Sequence, residues 1–180
     1  MSNEPWRNRA IATPRLLLRA FKPEDADHLY EYLSNSEIYR FEPGEPIDHS
    51  QAQEQAKDMS ASADFWAVEL QSEHKVIGQI YFQHIEPQHL MTWELGYILN
   101  PRYQRQGYTS EAVIALLRNG FAAAGIHRVV AHCNPENIAS WKLLEKTVRS
   151  YQIAMQLSPE NLYVRDRASE FLARQKIPPN

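Results

Sequence analysis

An α/β protein built on a mixed sheet is what this sequence predicts, and three observations carry that expectation. Phe65 to Leu70, Val76 to His84 and Met91 to Leu99 are apolar, strand-like stretches joined by short polar connectors, the pattern of an antiparallel meander. The third runs through a loop into the helix-periodic stretch SEAVIALLRNGF, and another apolar stretch, Ile126 to Cys133, follows. Strand, crossover helix and adjacent strand form a right-handed unit, so the sheet changes there from antiparallel to parallel character.

The remaining elements follow in order. The polar start MSNEPWRNR reads as a flexible segment, set at residues 1–12. Leu16 and Leu18, with Arg15 and Arg19 interleaved, predict a first strand over about 15–21. Pro23, Glu24 and Asp25 open a helical turn, and Ala26, Leu29, Tyr30 and Leu33 continue it as a short amphipathic helix. Two prolines and a glycine between Glu42 and Asp48 make that segment a loop, a candidate lid or substrate wall. Residues 49–61 are helix formers with a thin stripe of Ala52, Ala56 and Met59, which predicts a surface helix. The polar turn Ser72 to Lys75 suits a hairpin. Ala112, Val113, Leu116, Leu117, Phe121 and Ala124 mark one face of the crossover helix, with Gly125 at the position of a left-handed cap. Asn134-Pro135 is a turn, and Glu136 to Lys146 is a further helix with Ile138, Trp141, Leu143 and Leu144 inward.

Composition excludes several classes of function. The 180 residues carry 19 Lys+Arg against 22 Asp+Glu, so no basic surface for nucleic acid or for a membrane is implied. No apolar run approaches the roughly 20 residues that cross a bilayer, the start lacks the apolar core of a signal peptide, and a cytoplasmic protein is expected. The single cysteine, Cys133, permits no internal disulfide. The seven histidines show no metal-ligand spacing: His84 and His89 are split by a loop, and His127 and His132 flank a strand. Cys133 reads as a buried structural thiol rather than a nucleophile. Tyr30, Tyr32, Tyr39, Phe41, Trp66 and Tyr81 read as core, with part of the cluster available to wall an acceptor site.

The chemistry concentrates at Trp93 to Ala122. A strand that passes through a Gly-containing loop directly into a helix leaves several N–H groups unpaired beside the positive end of a helix dipole, which is an anion site by construction. Gly107 lets backbone approach where a Cβ would intrude. A plain strand-to-helix connection is the blander reading of the same residues. Glu94, between Trp93 and Leu95, reads either as a partly buried carboxylate with a raised pKa or as an outward-facing strand carboxylate. Ser140 in a first helical turn reads as a cap or a solvent-facing residue as readily as a functional hydroxyl.

The run Gln104-Arg105-Gln106-Gly107-Tyr108-Thr109 resembles the (Gln/Arg)-x-x-Gly-x-(Gly/Ala) pyrophosphate loop of the GNAT superfamily of acyl-CoA-dependent N-acyltransferases. TPRLLLRAF before it, WELGYILNP leading into it and CNPENIASWKLLEK after it strengthen the match, and together they resemble the branch that acetylates N-terminal amines of ribosomal proteins. The resemblance implies the GNAT fold, a seven-strand-like mixed sheet with helices on both faces. It sets residues 13–146 as the core and 147–180 as a divergent C-terminal segment of the same domain. It assigns diphosphate binding to the backbone of Arg105, Gln106, Gly107, Tyr108 and Thr109, with the Arg105 side chain free to pair a phosphate, and pantetheine pairing to the backbone of Ile98, Leu99 and Asn100. Glu94 becomes the base that takes the amine proton, Ser140 the acid near the thiol sulfur, and Asn137 a holder of the pantetheine arm. Thr109 departs from the pattern, which has Gly or Ala there.

After Lys146 the Leu-Gly-Phe of the family and its terminal strand pair cannot be read. Tyr151 to Leu157 alternates like one strand, and Ser169 to Lys176 is helix-forming. The resemblance implies an acetyltransferase that moves acetyl from acetyl-CoA, without a metal, to a primary amine of a protein N-terminus or a small molecule, and a homodimer by analogy. An acidic wall at Glu42 and Glu45 would favour polycationic acceptors. The alternative function is a CoA-binding module with impaired catalysis.

Overall fold

The computed structural model describes residues 9–85, 87–124, 126–134, 136–151, 154–157 and 162–165. The expected cap at Gly125, the proline of the Asn134-Pro135 turn and the helix-forming run Ser169 to Lys176 lie outside the described residues. In chain order the elements are β1 (Ile11–Ala12), β2 (Leu16–Arg19), α1 (Ala26–Leu33), α2 (His49–Ala61), β3 (Phe65–Leu70), β4 (Lys75–Ile85), β5 (Thr92–Leu99), α3 (Tyr108–Ala124), β6 (Arg128–Ala131), α4 (Ile138–Tyr151), β7 (Ala154–Leu157) and β8 (Leu162–Arg165). The chain packs as two compact units, Met1–Phe82 with Gly96–Ala124 and Gln83–Leu95 with Gly125–Asn180. Both β4 and β5 therefore contribute residues to each unit.

In the first unit the strand order is β1-β2-β3-β4-β5. β1 to β4 pair antiparallel in succession, as the alternating apolar pattern requires. Ile11 pairs with Leu18 and is itself buried, so ordered chain begins inside the segment expected to be flexible up to residue 12. Leu16 and Leu18 fill the inner face of β2. Arg19, the last residue of β2, forms a two-pronged pair with Asp25 at 2.8 Å on each prong, and its Nε reaches Glu69 at 2.5 Å. α2 starts where Asp48 and Gln51 cap each other reciprocally, both bonds 2.8 Å, and its stripe of Ala52, Ala56 and Met59 is buried as expected. Ala56 and Met59 of that stripe join Leu29, Tyr32, Leu33, Phe21 and Val76 in one core cluster. Each Leu, Phe, Met or Val side chain among them contributes about 1.5–3 kcal/mol when fully buried. At Gly78 a Cβ would lie 2.5 Å from the Ile98 carbonyl oxygen and 3.0 Å from the Leu99 Cα, so only glycine lets β4 come this close to the end of β5.

In the second unit the order β5-β6-β8-β7 brings the parallel contact expected after the crossover: Thr92, Trp93 and Glu94 face Arg128, Val129 and Val130. β8 pairs antiparallel with both β6 and β7. The terminal strand pair that the sequence did not disclose is thus present, as two four-residue strands. The cause is α4. Without a glycine after Lys146 the helix runs on to Tyr151, with Thr147 buried and its hydroxyl donating to the Leu143 carbonyl at 2.9 Å. Tyr151 therefore closes a helix rather than opening a strand. Leu144 lies inside, whereas Ile138, expected inward, is 55% exposed at the first position of the helix. Among the described residues no helix is long and apolar enough to cross a membrane.

Candidate active site

In the first unit, β5 ends on Leu99 and hands the chain to Asn100, which is buried and fully occupied. Its N–H donates to the Ile77 carbonyl at 2.8 Å, its carbonyl accepts from Tyr103 N–H at 2.9 Å, its Oδ1 accepts from Arg102 N–H at 3.1 Å, and its Nδ2 donates to Glu31 at 3.0 Å. Glu31 also pairs with Lys75 at 2.6 Å. Burial pushes the Glu31 carboxyl up, but the Lys75 and Asn100 bonds outweigh that and hold it below the usual carboxylate range. Asn100 is accordingly an anchor for the chain entering the loop. Its main chain is committed within the fold, which leaves Ile98 and Leu99 as the expected pantetheine positions on this strand. Ile98 is half-buried, while the Leu99 carbonyl accepts from Gln104 Nε2 at 3.2 Å.

The loop itself is exposed from Gln104 to Gly107. Arg105 has φ +62° and Gly107 φ +83°, so left-handed residues sit two apart. Such alternation turns successive N–H groups toward one concavity. The first bond into α3 is Glu111 N–H to the Gly107 carbonyl at 3.0 Å, so the N–H groups of Tyr108, Thr109 and Ser110 precede the helical ladder. Thr109 is half-buried in that first turn. The donor set and the glycine fit a diphosphate. Sequence reasoning missed what stands beside the loop. Arg15 Nη1 donates to the Gln106 carbonyl at 2.9 Å, its Nε pairs with Glu111 at 2.7 Å, and its guanidinium lies 4.3 Å from the Tyr108 ring centre. Thr13 Oγ1 donates to the same carboxylate at 2.6 Å. Only the contact across 96 residues of chain reveals this role, and no local pattern carries it.

In the second unit Glu94 faces Val130 across the parallel pair, flanked in sequence by buried Trp93 and Leu95. Its own side chain is 33% exposed, and His132 Nε2 stands 3.6 Å from its Oε1. His132 was noted in the sequence only as flanking a strand. Its meeting with Glu94 follows from parallel register, since it lies two residues beyond Val130 on the same face. Asn137 caps α4: its Oδ1 accepts from Ser140 N–H at 3.1 Å and its carbonyl from Trp141 N–H at 3.1 Å. The structure thus brings Asn137 and Ser140 together as cap and third helical residue. Cys133, expected to be buried, is only half-buried, with Sγ 3.4 Å from the Asn134 carbonyl oxygen. Among the described residues no group of three or more His, Cys, Asp or Glu is arranged to hold a metal ion.

A family model, the acetyltransferase (GNAT) domain, matches residues 15–147. The chain belongs to the GNAT acetyltransferase family. Its relatives include YnaD of Bacillus subtilis (strain 168), an uncharacterized N-acetyltransferase, 37% identical over 137 residues that cover 76% of this chain and 79% of YnaD. A GNAT-family acetyltransferase from Bacillus anthracis superposes with a TM-score of 0.75 at 27% identity, covering 87% of this chain and 96% of its own. The ribosomal L7/L12 alpha-N-protein acetyltransferase RimL, solved in complex with coenzyme A, shares the fold with a TM-score of 0.70 at 16% identity, over 87% of this chain and 96% of RimL. This GNAT acetyltransferase therefore carries the mixed sheet of its family, and its loop at Gln104–Thr109 and its cap at Asn137 fall within the matched span.

Proposed function

We propose that this enzyme transfers the acetyl group of acetyl-CoA to a primary amine by direct attack, with an N-terminal peptide amine as the leading acceptor class. The observation that carries the reading is the exposed loop with left-handed Arg105 and Gly107 opening into α3, in a chain of this family. The N–H groups of Arg105 to Thr109 would hold the diphosphate, the Arg105 guanidinium would pair a phosphate oxygen, and the backbone of Ile98 and Leu99 would pair with the pantetheine arm. The Asn137 Nδ2 remains a donor for that arm, since only its Oδ1 is used in capping. No metal enters the chemistry.

In the reaction the amine nitrogen attacks the thioester carbonyl carbon and the C–S bond breaks. The N–H proton goes to Glu94, directly or through water, and the departing thiolate takes a proton from Ser140 Oγ, which regains one from solvent before the next turnover. His132, with Nε2 3.6 Å from Glu94 Oε1, would accept the proton onward and deliver it to solvent. Free-thiol release across a panel of peptide, aminoglycoside and polyamine amines tests the scheme. Glu94→Gln should lower kcat/KM for the accepted amine by about 10²–10⁴ with coenzyme affinity intact, and Ser140→Ala should slow turnover about tenfold. Unchanged rates in both variants would remove the acid–base assignment. A CoA-binding module with impaired catalysis is the second reading, favoured by Thr109 in place of Gly or Ala. Calorimetric binding of acetyl-CoA with no thiol release on any amine would select it. A homodimer is proposed by family analogy, and light scattering checks it.

A further inference from the structure

We propose that Arg15 is a positioning residue for the diphosphate grip, holding the peptide between Gln106 and Gly107 in the orientation that presents its N–H to the coenzyme. The inference rests on the reading of this loop as the diphosphate seat and assigns a residue outside the loop to its shape.

Three observations converge on it. Arg15 Nη1 holds the Gln106 carbonyl at 2.9 Å. In a trans peptide the C=O and the following N–H point in opposite directions, so fixing that carbonyl toward Arg15 turns the Gly107 N–H away from Arg15. Glycine is the residue at which such a peptide turns over most easily, because both signs of φ are open to it, and Gly107 sits at φ +83°. A loop that needs glycine for access also needs something outside itself to select one orientation.

The second observation concerns charge. Glu111 lies in the first turn of α3, where a carboxylate is favoured by the helix dipole but repels an anion seated at the same end. Arg15 Nε pairs with Glu111 at 2.7 Å, with Thr13 Oγ1 at 2.6 Å and Arg15 N–H at 3.0 Å on its other oxygen, so the negative charge is matched by a cation and two further donors. The third is stacking: the guanidinium lies 4.3 Å from the centre of the Tyr108 ring, which ties the first residue of the helix to the same plane. One planar fork thus holds a carbonyl, a carboxylate and a ring, a task that a point charge on a flexible stem cannot repeat. Arg15 is 43% exposed on its side chain, so its replacement leaves no cavity and the variants should fold.

The test compares coenzyme A, measured by calorimetry, with pantetheine, which lacks the diphosphate, measured by ligand-observed NMR. Arg15→Gln and Arg15→Lys should each raise the Kd for coenzyme A about tenfold and leave the Kd for pantetheine unchanged. Coenzyme A binding unaltered in Arg15→Gln, wild-type affinity restored by Arg15→Lys, or an equal loss for pantetheine would each overturn the positioning role. A wild-type enzyme that binds coenzyme A no tighter than pantetheine would overturn the diphosphate reading itself, and this inference with it.

Discussion

At Gly107 the backbone stands at φ +83°, so Gly107→Ala adds left-handed strain, while its Cβ would meet only the mobile end of Arg15, Nη2 at 3.4 Å. The expected loss is about 1–2 kcal/mol, read from urea unfolding of the free enzyme. Arg105 already bears that strain at φ +62°. Arg105→Gly relieves about 1–2 kcal/mol and adds about 0.5–1 kcal/mol of chain entropy to be lost on folding. Stability should therefore hold or rise slightly while coenzyme affinity falls, which separates backbone strain from phosphate pairing. Glu42 provides a third case. It is half-buried in the proline-rich loop, and burial pushes its carboxyl above the usual range. A carboxyl whose folded pKa is raised disfavours the fold once pH exceeds that value and has no such effect below the unfolded pKa. Glu42→Gln should raise the melting temperature at pH 7 and leave it unchanged at pH 3.5, and scanning calorimetry at the two values decides it.

Among the elements, β4 and β5 depend on a missing side chain. Gly78→Ala places a methyl 2.5 Å from the Ile98 carbonyl oxygen, which is backbone and cannot swing away. A cost of about 1–3 kcal/mol is expected from equilibrium unfolding, together with weaker coenzyme binding because the displaced strand is the one that would pair with pantetheine. None of this shows in the sequence, where Gly78 interrupts an apolar run without saying what approaches it. What the sequence does show is composition and periodicity. The span of α2 is legible because helix formers carry the thin stripe of Ala52, Ala56 and Met59, and β3 because polar residues bound the largely apolar run FWAVEL. The C-terminal end of α4 and the last hairpin are not legible: a glycine that usually stops the helix is missing, and four-residue strands are too short to reveal alternation. Within the candidate site the loop residues declare themselves by local pattern. Arg15, Glu111 and His132 matter only through partners far along the chain, and no one-dimensional period carries that information.

For the whole molecule, acid should be the sensitive side. Asp25, Glu31 and Glu111 each have a carboxyl that burial pushes up and that hydrogen bonds and cations pull down further: Arg19 and the Lys22 N–H for Asp25, Lys75 and Asn100 for Glu31, Thr13 and Arg15 for Glu111. Folded values below the unfolded ones mean that the stabilisation is complete above the ordinary carboxylate range and is lost as pH falls through the folded values. Stability should be level near neutrality and fall below about pH 4. Asp25→Asn should lower the plateau by about 3 kcal/mol, since Arg19 loses its two-pronged partner, and should flatten the acid limb in denaturation measured from pH 2 to 7. Each compact unit is assembled from two separate stretches of chain, the first interrupted by Gln83–Leu95 and the second by Gly96–Ala124. Neither half can be lifted out as one continuous recombinant piece. A chimera that grafts the acceptor preference of a relative onto this enzyme must break the gene at two places or carry β4 and β5 across together, and a single crossover between them would splice mismatched partners into the middle of the sheet.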